Sequence, residues 1–415
     1  MELSRKQDST TEAASRLSAW HIAAYRRLWF GTVILALAKQ CERLALGWFV
    51  LSATDSVFLT AASFAVQKAP GSLVSPLAGY MSDHLSRSRM IAATAIYKAV
   101  IVVLLGFLAL GGVDHIWMVF VLVALSGIGQ ACETPATQGL ITETVPPKVA
   151  MKAVALWSTG VKLVGALGGL FGGFVITFLG IPVALFFGSG IFLIGAIVMA
   201  TMPQSSVEKP VRNVAGPGIL LAAWKGLVLI LKLPVMRTLL LIAFVVETFG
   251  FAYQSVLPSF ARDVLRVDAD GLGILTLAAG CGSVIGVAIL ATRGYFPQKG
   301  QLLIGVTIGY GLMLVGFASS GLFPLSLIMM MGVGAMAAVF DAIQWTLLQQ
   351  HVPNDMRGRA IGGWVFATGF GWIGQLALGA MAQVLGVEWA LMIAGALVAL
   401  TGFISYGSSA KLREI

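Results

Sequence analysis

The sequence predicts an all-α membrane protein of twelve transmembrane helices in two pseudo-symmetric six-helix bundles. Three observations carry that expectation: apolar runs of membrane-spanning length, Lys and Arg gathered on one set of connections, and a second half that repeats the first. The 415 residues are 58% hydrophobic and 11% charged, with a mean hydropathy of +0.90. A soluble domain carries about 25% charged residues. Too few polar side chains remain here to cover a water-facing surface, which excludes soluble enzymes, disordered chains and disulfide-knit secreted folds.

The elements follow in order. Residues 1–27 form a polar tail of mixed charge, with no short apolar region ending at a small-residue cleavage site, so the first span is expected to be retained. Six apolar runs at 28–51, 57–80, 90–112, 116–142, 153–178 and 181–202 make an N-terminal bundle. Each is near the length of about 20 residues that a helix needs to cross the hydrocarbon core. A linker at 203–237 contains Pro203, Pro210 and Pro217, and its apolar part, Ile219 to Leu233 with Lys225 and Lys232, is expected along the membrane surface. Runs at 238–260, 271–292, 301–322, 323–349, 360–386 and 389–408 make the C-terminal bundle, followed by a tail at 409–415. The boundary inside 301–349 rests on Ser319-Ser320-Gly321 and Phe323-Pro324 alone.

Twelve spans place both termini on one side with the even-numbered connections. That side holds Arg26, Arg27, Arg87, Arg89, Lys148, Lys152, Lys209, Arg212, Lys299, Arg357, Arg359 and Arg413 among others, against Arg262 and Arg266 opposite. The bias predicts cytoplasmic termini and supports an even number of spans. The halves also match. Val145-Pro146 and Trp157 reappear as Val352-Pro353 and Trp364 at a spacing of 207 (145 to 352). Gly165, Gly168, Gly173 and Leu179-Gly180 reappear as Gly371, Gly374, Gly379 and Leu385-Gly386 at 206 (165 to 371). Two like bundles in one orientation leave a cleft between them in which alternating access can operate.

The net charge of +9 lies mostly in short loops, which argues against nucleic acid as partner. Cys41, Cys132 and Cys281 all fall in apolar runs without metal-ligand spacing, and no phosphate loop, zinc-protease motif or nucleophile elbow is present. No cofactor, metal or catalytic residue is therefore expected.

The connection after the second span reads Gly79-Tyr80-Met81-Ser82-Asp83-His84-Leu85-Ser86-Arg87. It is an ordinary positive-inside loop by composition, and it also resembles the signature loop of the major facilitator superfamily, with His84 in place of an Arg and Ser86 in place of a Gly. The resemblance implies a cytoplasmic gate: Gly79 for close approach, Asp83 against the foot of span 11, and Arg87 paired with Glu143. Tyr25-Arg26-Arg27-Leu28-Trp29 and the run from Gln344 through Val352-Pro353-Asn354-Asp355-Met356-Arg357-Gly358-Arg359 to Trp364 are similar to the branch of bacterial inner-membrane exporters that includes the enterobactin exporter. That adds Arg357 and Arg359 to the gate and implies secondary efflux. Gly165, Gly169 and Gly173 share one helical face, suited to close helix packing. The stretch is similar to an antiporter glycine motif of the same superfamily, with Gly169 where that motif has Pro.

Nine ionisable residues lie within spans: Lys39, Glu42, Arg43, Lys68, Lys98, Glu133, Lys162, Glu247 and Asp341. Each costs about 2.5 to 3.5 kcal/mol at a helix centre, so they are expected to face the cleft or pair with one another. One internal pair is expected among Lys39, Glu42 and Arg43. The acids either neutralise the cations, or surplus cations in the first bundle attract an anionic substrate; both readings stand on sequence alone. Lys39, Arg43, Lys68 and Lys162 are the candidate anion ligands, with Gln67, Trp157, Gln254 and Trp345 as polar or aromatic lining. Trp48, Trp364 and Gln375 are further cleft candidates, though for any one Trp helix packing is the commoner role. For proton coupling the order is Glu247, with no cation near it in sequence, then Glu133, then Asp341. The expected function is a monomeric, proton-coupled antiporter in the bacterial inner membrane that exports a small anionic metabolite such as a siderophore. Multidrug efflux and lysophospholipid flipping are the alternatives within transport; a membrane receptor or an intramembrane enzyme is the alternative outside it.

Overall fold

The computed structural model describes residues 19–112, 115–202, 227–228, 231, 233–292, 298–352, 364–365 and 367–414. Most of the linker at 203–237, both ends of the chain and Arg357 and Arg359 lie outside the described residues.

Among the described residues twelve helices carry the fold. The first bundle comprises α1 (Ala23–Thr54), α2 (Val57–His84), α3 (Arg87–Gly111), α4 (Ile116–Thr144), α5 (Pro147–Leu179) and α6 (Ile181–Ala200). The second begins with α7, which runs from Pro234–Val245 through a π-helical turn at Val246–Gly250, an α-helical stretch at Tyr253–Ser259 and a second π-helical turn at Phe260–Val264. It continues with α8 (Ala269–Thr292), α9 (Lys299–Ala318), α10 (Phe323–His351), α11 (Gly371–Leu385) and α12 (Val387–Ser408). Several helices outrun their apolar cores. Thus α1 begins at Ala23, five residues before the expected span, and α5 at Pro147, because a proline at the first helical position needs no hydrogen-bond acceptor.

Local chemistry sets the boundaries. The Ser56 hydroxyl accepts from the Leu59 amide at 3.2 Å and caps α2. Gly180 and Gly386 both have φ +88° and separate α5 from α6 and α11 from α12. A side chain would be strained at that angle. The Leu-Gly repeat in the sequence is therefore the same sharp junction built twice.

Among the described residues nine helices are long and apolar enough to cross a membrane. The three that fall short are α1, α2 and α11, and each has a physical reason. The first carries Lys39, Gln40, Glu42 and Arg43, the second Gln67 and Lys68, and the third is described over only 15 residues and holds Gln375. These helices border the cleft, where polar side chains displace apolar ones. Outside the bundles, Phe107, Phe178, Ile197, Val384 and Trp389 are exposed. So many exposed apolar side chains suit lipid rather than water.

The packing repeats as well. Within the first bundle α2 packs on α4, α3 on α6 and α3 on α4; within the second α8 packs on α10, α9 on α12 and α9 on α10. The bundles meet chiefly along α5 with α8 and α2 with α11, two contacts exchanged by the pseudo-twofold relation.

Candidate functional site

The intramembrane charges resolve into pairs. Lys39 Nζ lies 2.7 Å from Glu133 Oε1, and Lys98 Nζ lies 2.8 Å from Glu42 Oε2. Both pairs stay within the first bundle. Lys68 Nζ lies 3.8 Å from Glu247 Oε2, and Lys162 Nζ lies 4.0 Å from Asp341 Oδ2. Those two pairs cross the cleft, each with its cation on the first bundle and its carboxylate on the second.

This arrangement corrects one expectation. No pair forms among Lys39, Glu42 and Arg43: Glu42 and Arg43 are adjacent positions that diverge by about 100°, and Lys39 and Glu42, though near one another on the helix, turn to the tertiary partners Glu133 and Lys98. Glu42 instead faces Lys98 and also accepts hydrogen bonds from the Ser126 hydroxyl and from Gln67 Nε2, so the pair binds α1, α2, α3 and α4 together. Lys98 sits over the Phe192 ring, 4.9 Å from its centroid, with its charged side chain about 1% exposed. Glu247 has no cation near it in sequence, but the fold supplies Lys68 from the other bundle.

Among the described residues each of the four intramembrane carboxylates has its lysine, and Arg43 remains. Arg43 Nη2 donates to the neutral Gln254 Oε1 across the cleft, and no carboxylate pairs with it among the described residues. The residue lines two adjoining cavities. One, of 290 Å³, includes Gln40, Lys162, Tyr253, Gln254, Thr276 and Asp341; the other, of 360 Å³, includes Lys39, Gln67, Lys68, Glu247, Gln254 and Gln375. The π-helical turn in α7 begins beside Glu247, a distortion often found at functional sites. A vestibule of 810 Å³ adjoins the second cavity through Gln67, Lys68 and Gln130, and takes in Trp157 and Trp345.

The remaining candidates separate. Trp48 and Trp364 are buried in the helix core, and Trp364 is 1% exposed, so packing is their role. Arg87 Nη1 lies 3.0 Å from Glu143 Oε1 and its Nε donates to the Ser82 carbonyl at 3.2 Å. Gly79 and Asp83 fall on the last turns of α2, but their side chains lie outside the described residues, as do Arg357 and Arg359. Sequence reasoning passed over Gln40, Gln130 and Tyr253, although an amide or a phenol inside an apolar run is itself a signal.

At the face carrying the odd-numbered connections the bundles are latched. Arg262 Nη2 donates to Asp55 Oδ1 at 2.7 Å and its Nη1 to the Leu51 carbonyl at 3.3 Å. The Asp270 amide donates to Thr177 Oγ1 at 3.0 Å, and Gln383 Oε1 accepts from the Phe58 amide at 3.1 Å. Glycines allow the close approach: a Cβ at Gly173 would collide with the Ala269 carbonyl, and one at Gly379 with Ala61.

Comparison with known proteins agrees with this architecture. The sequence pattern of the Major Facilitator Superfamily matches residues 28–374. The chain is 24% identical over 344 residues to the uncharacterised MFS-type transporter YfiS of Bacillus subtilis, covering 81% of each chain. It is 26% identical over 329 residues to the multidrug efflux pump Tap of Mycolicibacterium fortuitum, covering 77% of this chain and 79% of that one. With the enterobactin exporter EntS of Salmonella typhi it shares 26% identity over 221 residues, 52% of this chain and 50% of the other. Among solved structures, the nucleoside transporter NupG superimposes with a TM-score of 0.73 at 13% identity over 93% of this chain and 98% of that one. An inward-facing, unoccupied bacterial homologue of the human lysosomal transporter Spinster gives 0.70 at 15% identity over 94% and 98%. At such identities the likeness shows the fold alone.

Proposed function

The chain belongs to the Major Facilitator Superfamily and is a multi-pass membrane transporter, and on that premise we propose that it is a proton-coupled exporter of a small anionic metabolite, with a siderophore as the first choice. The observation that carries the reading is Arg43. Four lysines are matched by four carboxylates, and among the described residues the leftover guanidinium faces the cavities with neutral groups against it, the Gln254 amide and the Tyr253 phenol. A planar fork of donors without a counter-charge is a receptor for a carboxylate, phosphate or similar anion. Lys68 and Lys162 stand beside it, with Gln67 and Gln254 as hydrogen-bonding lining and Trp157 and Trp345 in the vestibule.

Proton coupling falls to Glu247 and Asp341. Each carboxylate reaches across the cleft to a lysine on the other bundle, so a proton that neutralises it also releases a tie between the bundles. Protonation and bundle movement then share one equilibrium. Glu133 holds Lys39 inside a single bundle and does not sense that movement, which puts it last. The basic face is the cytoplasmic one in this reading, with both termini there and the vestibule accessible from the cell interior. Arg87 with Glu143, Gly79, Asp83, Arg357 and Arg359 form the gate at that face when the transporter turns outward. The protein works as a monomer in the bacterial inner membrane.

The test uses everted membrane vesicles from cells expressing the protein, given a pH gradient and an extract of iron-starved cells, with mass spectrometry of what accumulates inside. Anions that accumulate with the wild type and fail to accumulate with Arg43→Gln or Glu247→Gln support the reading. Accumulation of organic cations alone, or anion accumulation indifferent to both substitutions, contradicts it. The longer match to a multidrug efflux pump favours a second reading, export of amphipathic drugs. A deletion strain that becomes sensitive to cationic dyes while secreting its iron chelator normally would favour that one.

A further inference from the structure

Toward the basic face the charged cavities give way to a vestibule of 810 Å³ with different chemistry. Gln130, Gln138 and Gln349 line it, together with Trp157 from the first bundle and Trp345 from the second, and Lys68 stands where it meets the inner cavity. No carboxylate occurs among its described lining residues. Among those described residues the one cation, Lys68, is already faced by Glu247 at 3.8 Å, so they leave no uncompensated charge. What it offers is amides and indoles. Gln130 and Gln138 each present both a donor and an acceptor, which suits ligands bearing hydroxyl or amide groups rather than plain hydrocarbon. Trp157 donates its Nε1–H to Thr32 Oγ1 at 3.1 Å, which spends its polar edge and fixes the ring. The ring faces are then what a ligand meets, and indole faces take flat rings by stacking.

We propose that the vestibule is a second subsite that holds the neutral body of a monoanion whose acidic head lies at Arg43, and that this body is a flat ring carrying amide or hydroxyl groups. The proposal rests on the anion-export reading and goes beyond it in naming the ligand class. A single acidic head follows from the count, since Arg43 alone is left without a carboxylate among the described residues. An amphipathic cation would meet no counter-charge among the described lining residues of the vestibule.

The experiment is isothermal titration calorimetry on the full-length protein in detergent with three probes: hippurate, an aromatic amide monoanion; hexanoate, an aliphatic monoanion; and tetraphenylphosphonium, an aromatic cation. Hippurate is expected to bind about threefold to tenfold more tightly than hexanoate, the size of one stacking contact. Trp345→Leu and Gln138→Leu, both at solvent-facing positions of the cavity, should each shrink that advantage, and Trp157→Leu should do so if it folds. Equal binding of the two anions by the wild type, or an unchanged ratio in Trp345→Leu and Gln138→Leu, overturns the ring subsite while leaving the anion reading standing. Arg43→Gln should abolish binding of both anions. Anion binding unchanged by that substitution, no anion binding by the wild type, or binding of tetraphenylphosphonium alone overturns the anion reading, and the subsite with it.

Discussion

Glu42 and Arg43 are neighbours on α1, yet one turns into the first bundle toward Lys98 and the other into the cleft toward Gln254. The buried pair has given up its water, so removing one partner strands a charge at a cost of about 3 to 5 kcal/mol, whereas removing both costs far less. Lys98→Met is therefore expected to lower the unfolding temperature of the detergent-purified protein sharply, and Lys98→Met with Glu42→Gln to recover most of the loss. Equal destabilisation by the single and double variants would deny the pair its structural role. The identity of the buried charges was legible in the sequence, since an ionisable residue in an apolar run stands out. Their partners were not. Lys39 with Glu133 and Lys68 with Glu247 are joined by helix packing, which no local spacing encodes. Lys98 was not among the candidate anion ligands, and its burial against Glu42 makes it a staple between helices.

At the scale of an element, α5 and α8 show small residues setting how closely two bundles approach. Gly169 faces the Thr276 side chain and Gly173 faces the backbone at Ala269 and Asp270, with Gly273 of α8 returning the contact against the Gly169 carbonyl. Gly173→Leu cannot fit while the bundles are latched at this face. It is expected to favour the opposite-facing state, read as a loss of disulfide cross-linking between Ser56→Cys and Gln383→Cys, a pair whose parent side chains are 3.2 Å apart in the closed arrangement. Cross-linking as complete as in the parent would show that the glycines serve packing within a fixed state only. The glycine face was plain from its spacing. The π-helical turns of α7 were not, because the residues of Val246–Gly250 and Phe260–Val264, Glu247, Arg262 and Asp263 included, form no pattern that distinguishes a π-helical turn from an α-helical one. The end of α5 was legible where Gly180 marks it, whereas its start at Pro147 lies six residues before the expected 153. At Ala318 an expected span running to 322 stops short where Ser319 and Ser320 close the turn.

For the whole molecule, two repeats of one bundle meet through contacts that the pseudo-symmetry exchanges, α5 with α8 and α2 with α11. The latch at the odd-numbered face is polar and small: Arg262 with Asp55, Thr177 with Asp270, and Gln383 with the start of α2. Exposed ion pairs are worth about 1 kcal/mol or less, so this latch biases the two states without fixing either. Arg262→Gln is expected to raise the population open at that face by about fivefold at most, visible as faster labelling of a cysteine placed at Ala61 by a membrane-impermeant maleimide. Unchanged labelling would mean that the helix contacts alone hold the face closed. The most direct measurement of alternating access is pulsed electron-electron resonance between spin labels on Ser56→Cys and Val384→Cys, in a variant with Cys41, Cys132 and Cys281 replaced. The account predicts a short and a long distance whose proportions change between pH 8 and pH 5, and that Glu247→Gln together with Asp341→Asn abolishes the change. A single short distance at both pH values, or a pH response that survives both substitutions, would contradict it.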